Sequence, residues 1–136
     1  MSYVLLIIIA ILGWGVSSFF YTVANQNIHP IMVSTIVAGV YVVITPLAFL
    51  FLKFDHQVNL IGVGFAVLGA ICAAAGSLGY FYLLRTGSGG LITALTALYP
   101  ALTLGLTAIF LRETINPKQA VGMGLALVSF VLLNLK

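Results

Sequence analysis

Charge is almost missing from this sequence. Its 136 residues include five Lys and Arg and two Asp and Glu, 5% of the chain, where a soluble domain carries about 25%. So few charges cannot cover a water-facing surface, and lipid is the expected solvent. The two acids, Asp55 and Glu113, flank apolar runs rather than interrupt them. The two histidines, His29 and His56, fall in consecutive loops and so on opposite membrane faces. No nucleophile–base pair and no metal ligand set is brought together; no catalytic residue, metal or cofactor is expected, and the chain is not read as an enzyme. The lone cysteine, Cys72, excludes an intrachain disulfide and is read as a small core residue. The net charge of +3 comes from cations spread singly along the chain, which excludes a nucleic-acid partner.

What is abundant is apolar sequence, 62% of the residues. A crossing of about 30 Å takes roughly 20 helical residues, so the length allows five or at most six crossings with little left for loops. Five apolar runs are visible, and the expected fold is an all-α integral membrane bundle of five transmembrane helices, at about 3–24, 30–52, 59–84, 89–111 and 117–135. The runs do not alternate and are too long for barrel strands. The first could pass for a signal peptide; its apolar core is longer than an h-region and no basic segment precedes it, so it is read as retained.

The boundaries carry chemical marks. Helix 1 stops at Asn25-Gln26-Asn27, and Pro30 opens helix 2, where its missing N–H costs nothing. Arg85 sits at the end of helix 3, Gly87 supplies a left-handed stop, and Ser88 caps the next helix. Before helix 5 stand Asn116 as N-cap, Pro117 in the first turn and Gln119 at the capping-box position. Loops this short make consecutive helices antiparallel neighbours. Lys53, Arg112 and Lys118 then share one side and Arg85 and Lys136 the other, a bias so small that a dual orientation and a fixed one are both open.

Helix 3 is rich in small residues: Gly62, Ala66, Ala70 and Ala74 form one row, Gly69, Ala73 and Ser77 another, and helix 5 has Gly122 and Ala126. Rows of this kind let helix backbones approach closely. Tyr3 and Tyr82, near helix ends, read as interfacial anchors. Three helices also carry weakly polar faces. On helix 4, Thr93, Thr96, Pro100, Thr103 and Thr107 fall within an arc of about 80° at ~100° per residue. Pro100 cannot donate to the Thr96 carbonyl, so a kink is expected there. On helix 1, Trp14, Ser18, Tyr21 and Asn25 are spaced four, three and four apart; on helix 2, Ser34, Tyr41 and Thr45 precede a second proline, Pro46. Each hydroxyl could simply bond its own backbone and glue helices together. If the faces converge, they enclose a cavity of rings and hydroxyls that suits a neutral or amphipathic organic solute. Glu113 reads as a structural residue at the helix 4–5 corner.

The stretch ALTALYPALTLGLTAIFLRETINPKQAVGMGLALVSFVLL, with Pro100 in mid-helix, Glu113 at the helix end and Gly122 in the next helix, resembles the end of an EamA domain of the drug/metabolite transporter superfamily. GWG at 13–15 resembles its start, and GYFYLLRTGSGG its third-to-fourth helix corner. The resemblance implies a five-helix repeat, half of an inverted-repeat transporter in which two copies rock about a central site. With one repeat in the chain, the expected partner is a second copy in an antiparallel homodimer, or a sister five-helix protein in a heterodimer. The expected function is movement of a small organic metabolite by alternating access, in a prokaryotic cytoplasmic membrane. The residues expected to line the path are Trp14, Ser18, Tyr21, Tyr41, Thr93, Thr96 and Thr103, with Pro46 and Pro100 at the gate or kink. No carboxylate lies at membrane depth, so uniport, exchange or coupling through an interfacial group is expected. The alternative is a non-transporting subunit or assembly factor of a larger complex.

Overall fold

A computed structural model of the chain describes residues 3–51 and 59–135. Lys53, Asp55, His56 and Lys136, and with them the end read for helix 2, lie outside the described residues. The described residues form six helices: α1 (Tyr3–Asn27), α2 (Pro30–Phe51), α3 (Leu60–Thr86), α4 (Gly89–Thr96), α5 (Tyr99–Phe110) and α6 (Pro117–Asn134). α4 and α5 are two parts of one apolar stretch, so the described residues hold five helical segments long and apolar enough to cross a bilayer. The chain divides into two compact units, one through Thr86 and one from Gly87.

In the first unit α3 packs against both α1 and α2. α1 runs on through the polar triplet where an end was expected. The reason is local: the Asn25 and Asn27 side-chain amides donate to the Tyr21 and Val23 carbonyls, each at 2.8 Å, and so add their polarity to the helix instead of breaking it. The turn into α2 is tight. His29 gives its carbonyl to Met32 and Val33 N–H at 2.8 and 3.1 Å, and its Nδ1 accepts Ile31 N–H at 3.3 Å. At the start of α3, Asn59 Oδ1 accepts Ile61 N–H at 2.9 Å.

Burial in this unit is concentrated at one end. Its buried residues are Asn25, Pro30, Val33, Phe81 and Leu84. They occupy the last turn of α1, the first turn of α2 and the last two turns of α3, which the up-down-up order brings to the same end. Away from it, residues 3–16 of α1, 38–47 of α2 and 60–79 of α3 are all exposed. The small-residue rows of α3 therefore do not do what their spacing suggests: a Cβ added at Gly62 or Gly69 would meet nothing within 4 Å, and the same holds at Gly122 in α6. Cys72, read as a core residue, is exposed as well. Yet the rows share a face with the seal. Ala73, Ser77 and Leu84 follow at steps of four and seven, as do Ala70, Ala74 and Phe81, which keeps each set on one side of a helix. One face of α3 is thus closed at its end and open along the rest.

In the second unit α4 packs on α6. Two expected devices at its start are absent. Ser88 has cap backbone geometry, but its side chain makes no cap bond. Gly87 has no positive φ; its lack of a side chain matters because a Cβ would stand 3.2 Å from Ile92 Cδ1. α4 ends where Pro100 withholds an amide from the Thr96 carbonyl. Two turn residues, Ala97 and Leu98, separate it from α5, with Ala97 N–H on the Thr93 carbonyl at 3.1 Å and Ala101 N–H on the Leu98 carbonyl at 3.0 Å. α2, by contrast, continues unbroken through Pro46. After α5 the chain turns on Arg112, which takes a left-handed φ of 54°, and Glu113 N–H folds back to the Thr107 carbonyl at 3.4 Å. The capping box then forms: Asn116 Oδ1 accepts Lys118 N–H at 3.0 Å, and Gln119 Oε1 accepts Asn116 N–H at 2.8 Å. Such a cap is worth about 1 kcal/mol.

Candidate functional site

The polar face of α1 runs from open to sealed. Trp14 is 65% exposed, Ser18 and Tyr21 are half-buried, and Asn25 is 1% exposed. Its serine and threonine donors are spent on its own helix. Ser17 and Ser18 hydroxyls both donate to the Trp14 carbonyl at 2.9 Å, and Thr22 donates to the Ser18 carbonyl at 2.8 Å. This is the local alternative that serine and threonine use in apolar surroundings. What each such hydroxyl leaves open is oxygen lone pairs, which accept and do not give.

Tyr21 is the hub of the unit's aromatic groups. Its ring meets Phe81 of α3 edge-on, with centroids 5.1 Å apart at 69°. Tyr41 on α2 and Tyr80 on α3 both act electrostatically on its phenol. Tyr80 carried no mark in the sequence beyond its place in the run Tyr80-Phe81-Tyr82. At ~100° per residue those three neighbours point three ways; Phe81 meets Tyr21 in the seal, and Tyr82 lies on His29, whose ring is 5.8 Å away and nearly perpendicular. Beside Tyr21 an open hollow of about 220 Å³ separates Phe20, Ala24 and Ile28 from Val33 and Ile36 of α2. Its walls are apolar.

In the second unit the threonine face is likewise bonded to its own backbone. Thr93 donates to the Gly89 carbonyl at 2.8 Å and Thr103 to the Tyr99 carbonyl at 3.1 Å. Thr96, last residue of α4, splits its proton between the Ile92 and Thr93 carbonyls, both at 3.0 Å. Thr107 donates to the Leu104 carbonyl at 3.2 Å. The face that reads as one arc in the sequence is cut between Thr96 and Thr103 by the Ala97-Leu98 turn. Glu113 is exposed at the α5–α6 corner, where its amide takes part in the turn. Among the described residues no group of three His, Cys, Asp or Glu could hold a metal.

Comparison with known proteins places this geometry in a family. The profile of the EamA-like transporter family matches residues 1–135. A curated relative, an uncharacterized protein of Methanocaldococcus jannaschii, is 31% identical over 71 residues, 52% of either chain; the match thus spans about half that relative's length. No solved structure matches. Five apolar spans and a family profile along nearly the whole sequence lead to one assignment: the chain belongs to the EamA-like transporter family and is a multi-pass membrane protein of the drug/metabolite transporter type.

Proposed function

We propose that the chain moves a small organic solute across the membrane by alternating access, as a dimer of two five-helix copies. The observation that carries this reading is the uneven closure of the α1–α3 unit. The helix faces that meet at Phe81 and Leu84 stay uncovered from Ala74 back toward Gly62. A site closed at one end and reachable from the other is what one half-cycle of alternating access requires. A second copy is the natural cover for the small-residue face of α3, because close backbone approach is what such a face offers in lipid. An antiparallel homodimer fits the weak charge bias, and a sister five-helix chain is the variant.

The path is assigned to Trp14, Ser18, Tyr21 and Tyr41 in the first unit and to Thr93, Thr96 and Thr103 in the second, with Pro100 and Pro46 as its flexible points and Glu113 as a corner residue. Since the serine and threonine hydroxyl protons are committed to backbone carbonyls, their oxygens offer acceptors, beside the rings and the polar hydrogens of Trp14, Tyr21 and Tyr41. Such a lining suits a solute with hydrogen-bonding groups and an apolar part. No acidic side chain lies within a span, so the expected mode is uniport, exchange or coupling through an interfacial group. The membrane is expected to be a prokaryotic cytoplasmic one. The test is flux into liposomes by the purified protein. Trp14→Ala and Thr96→Val are expected to cut flux about ten-fold, the equivalent of about 1.4 kcal/mol, at unchanged thermal stability. Purified protein that moves no solute, either alone or with a sister five-helix chain added, would instead favour a subunit role.

A further inference from the structure

Asn25 is the one buried polar residue among those described, 1% exposed, and its two halves are treated differently. Nδ2 donates to the Tyr21 carbonyl at 2.8 Å. Oδ1 is sealed off and has no donor. A buried carbonyl that has given up water and found no partner costs free energy every time the surrounding surface closes. Here that surface is the seal itself, made with Pro30, Val33, Phe81 and Leu84. Two of these belong to α3, which packs against α1. The same carbonyl is hydrated as soon as the seam parts. The penalty therefore belongs to the closed arrangement alone, and it shifts the balance between closed and open by roughly five- to hundred-fold.

We infer that Asn25 is a built-in release for the sealed end: its unpartnered carbonyl, buried between α1 and α3, keeps the closed seam from becoming a trap and so sets how often that end opens. The inference rests on the alternating-access reading for its purpose but not for its physics. Nothing in it depends on the Asn25 amide bond. The Tyr21 carbonyl keeps its ordinary helical donor when that second bond is removed, so the bond is dispensable while the bare carbonyl is not neutral.

Two variants test it. Asn25→Leu keeps the branched shape and removes both polar atoms. Asn25→Thr is close in volume, and its hydroxyl takes the Tyr21 carbonyl in the way Thr22 takes that of Ser18. Hydrogen–deuterium exchange of the last turns of α1 and α3 is measured in the full chain, with solute flux measured in parallel. Both variants are expected to slow exchange there about ten-fold, to raise the unfolding temperature and to reduce flux. Thr22→Val, on the same helix but only half-buried, is expected to leave exchange within two-fold, roughly the effect of a half-exposed side chain. If Asn25→Leu and Asn25→Thr leave exchange at the seam unchanged or speed it, the inference is overturned. If exchange slows but the unsubstituted chain carries no solute, the release stands and the transport reading fails.

Discussion

Replacing Leu84 with alanine is expected to cost about 3 kcal/mol of stability. Leu84 is 1% exposed, on the face of α3 that meets α1 and α2 where the unit closes. Lipid on one side of a helix and protein on the other are equally apolar, so transfer out of water contributes little. What alanine removes is dispersion contact, and the space left behind is walled by helix ends that cannot all move in. Leu125 in α6 is 64% exposed, and Leu125→Ala leaves lipid tails to fill the gap; the expected change is below about 0.5 kcal/mol. Leu84→Met, which roughly conserves volume, is expected to cost less than about 1.5 kcal/mol. Denaturation in mixed micelles reads all three. A Leu84→Ala cost no larger than that of Leu125→Ala would mean that the packed end is not where this unit is held together.

The second large effect is on rate rather than stability. Pro100→Ala returns an amide to the carbonyl of Thr96 and lets α4 and α5 join across Ala97 and Leu98. The new hydrogen bond contributes about 1 kcal/mol. The greater freedom of alanine in the unfolded chain offsets about 0.4–1 kcal/mol of that. Net stability is therefore expected to stay within about 1 kcal/mol of the starting value. The straight helix, however, becomes the favoured form by an amount that moves the bent population about five- to ten-fold. If the break is a hinge, flux falls by a similar factor while binding of solute is retained. Pro46→Ala, in a helix that stays continuous through the proline, is expected to change flux less. Equal and unchanged flux in both variants would remove the prolines from the mechanism and leave them as irregularities that lipid tolerates.

Much of the architecture is legible in the sequence, because span length and apolarity are set by the bilayer and need no knowledge of packing. The capping box at Asn116 and Gln119 is legible for the same reason: it is local. What is hidden depends on which face meets protein. In water the buried side of a helix is more apolar than the exposed side, and periodicity reports it. In a membrane both sides are apolar, so the sequence around Phe81 and Leu84 looks no different from that around Leu78 or Leu83, which are exposed. That is why Tyr80 escapes notice and why Cys72 reads as core. Asn25 and Asn27 mislead in another way. They are turn formers in most settings, but here each amide finds a carbonyl one turn back and extends α1. Gly87 points to the right place for the wrong reason, since its backbone is unremarkable and the constraint is the methyl of Ile92.

The central claim is that ring- and hydroxyl-bearing faces border water while the remaining exposed faces border lipid. Tyr41 and Val42 put it to a direct test. They are adjacent in α2 and about equally open, 61% and 72% exposed, so exposure alone does not tell them apart. With Cys72 replaced by serine, single cysteines at Tyr41 and at Val42 are treated in membranes with a charged, water-soluble maleimide. The account predicts that the cysteine at 41 is labelled and the one at 42 is spared. Equal labelling, or none at either position, would contradict it.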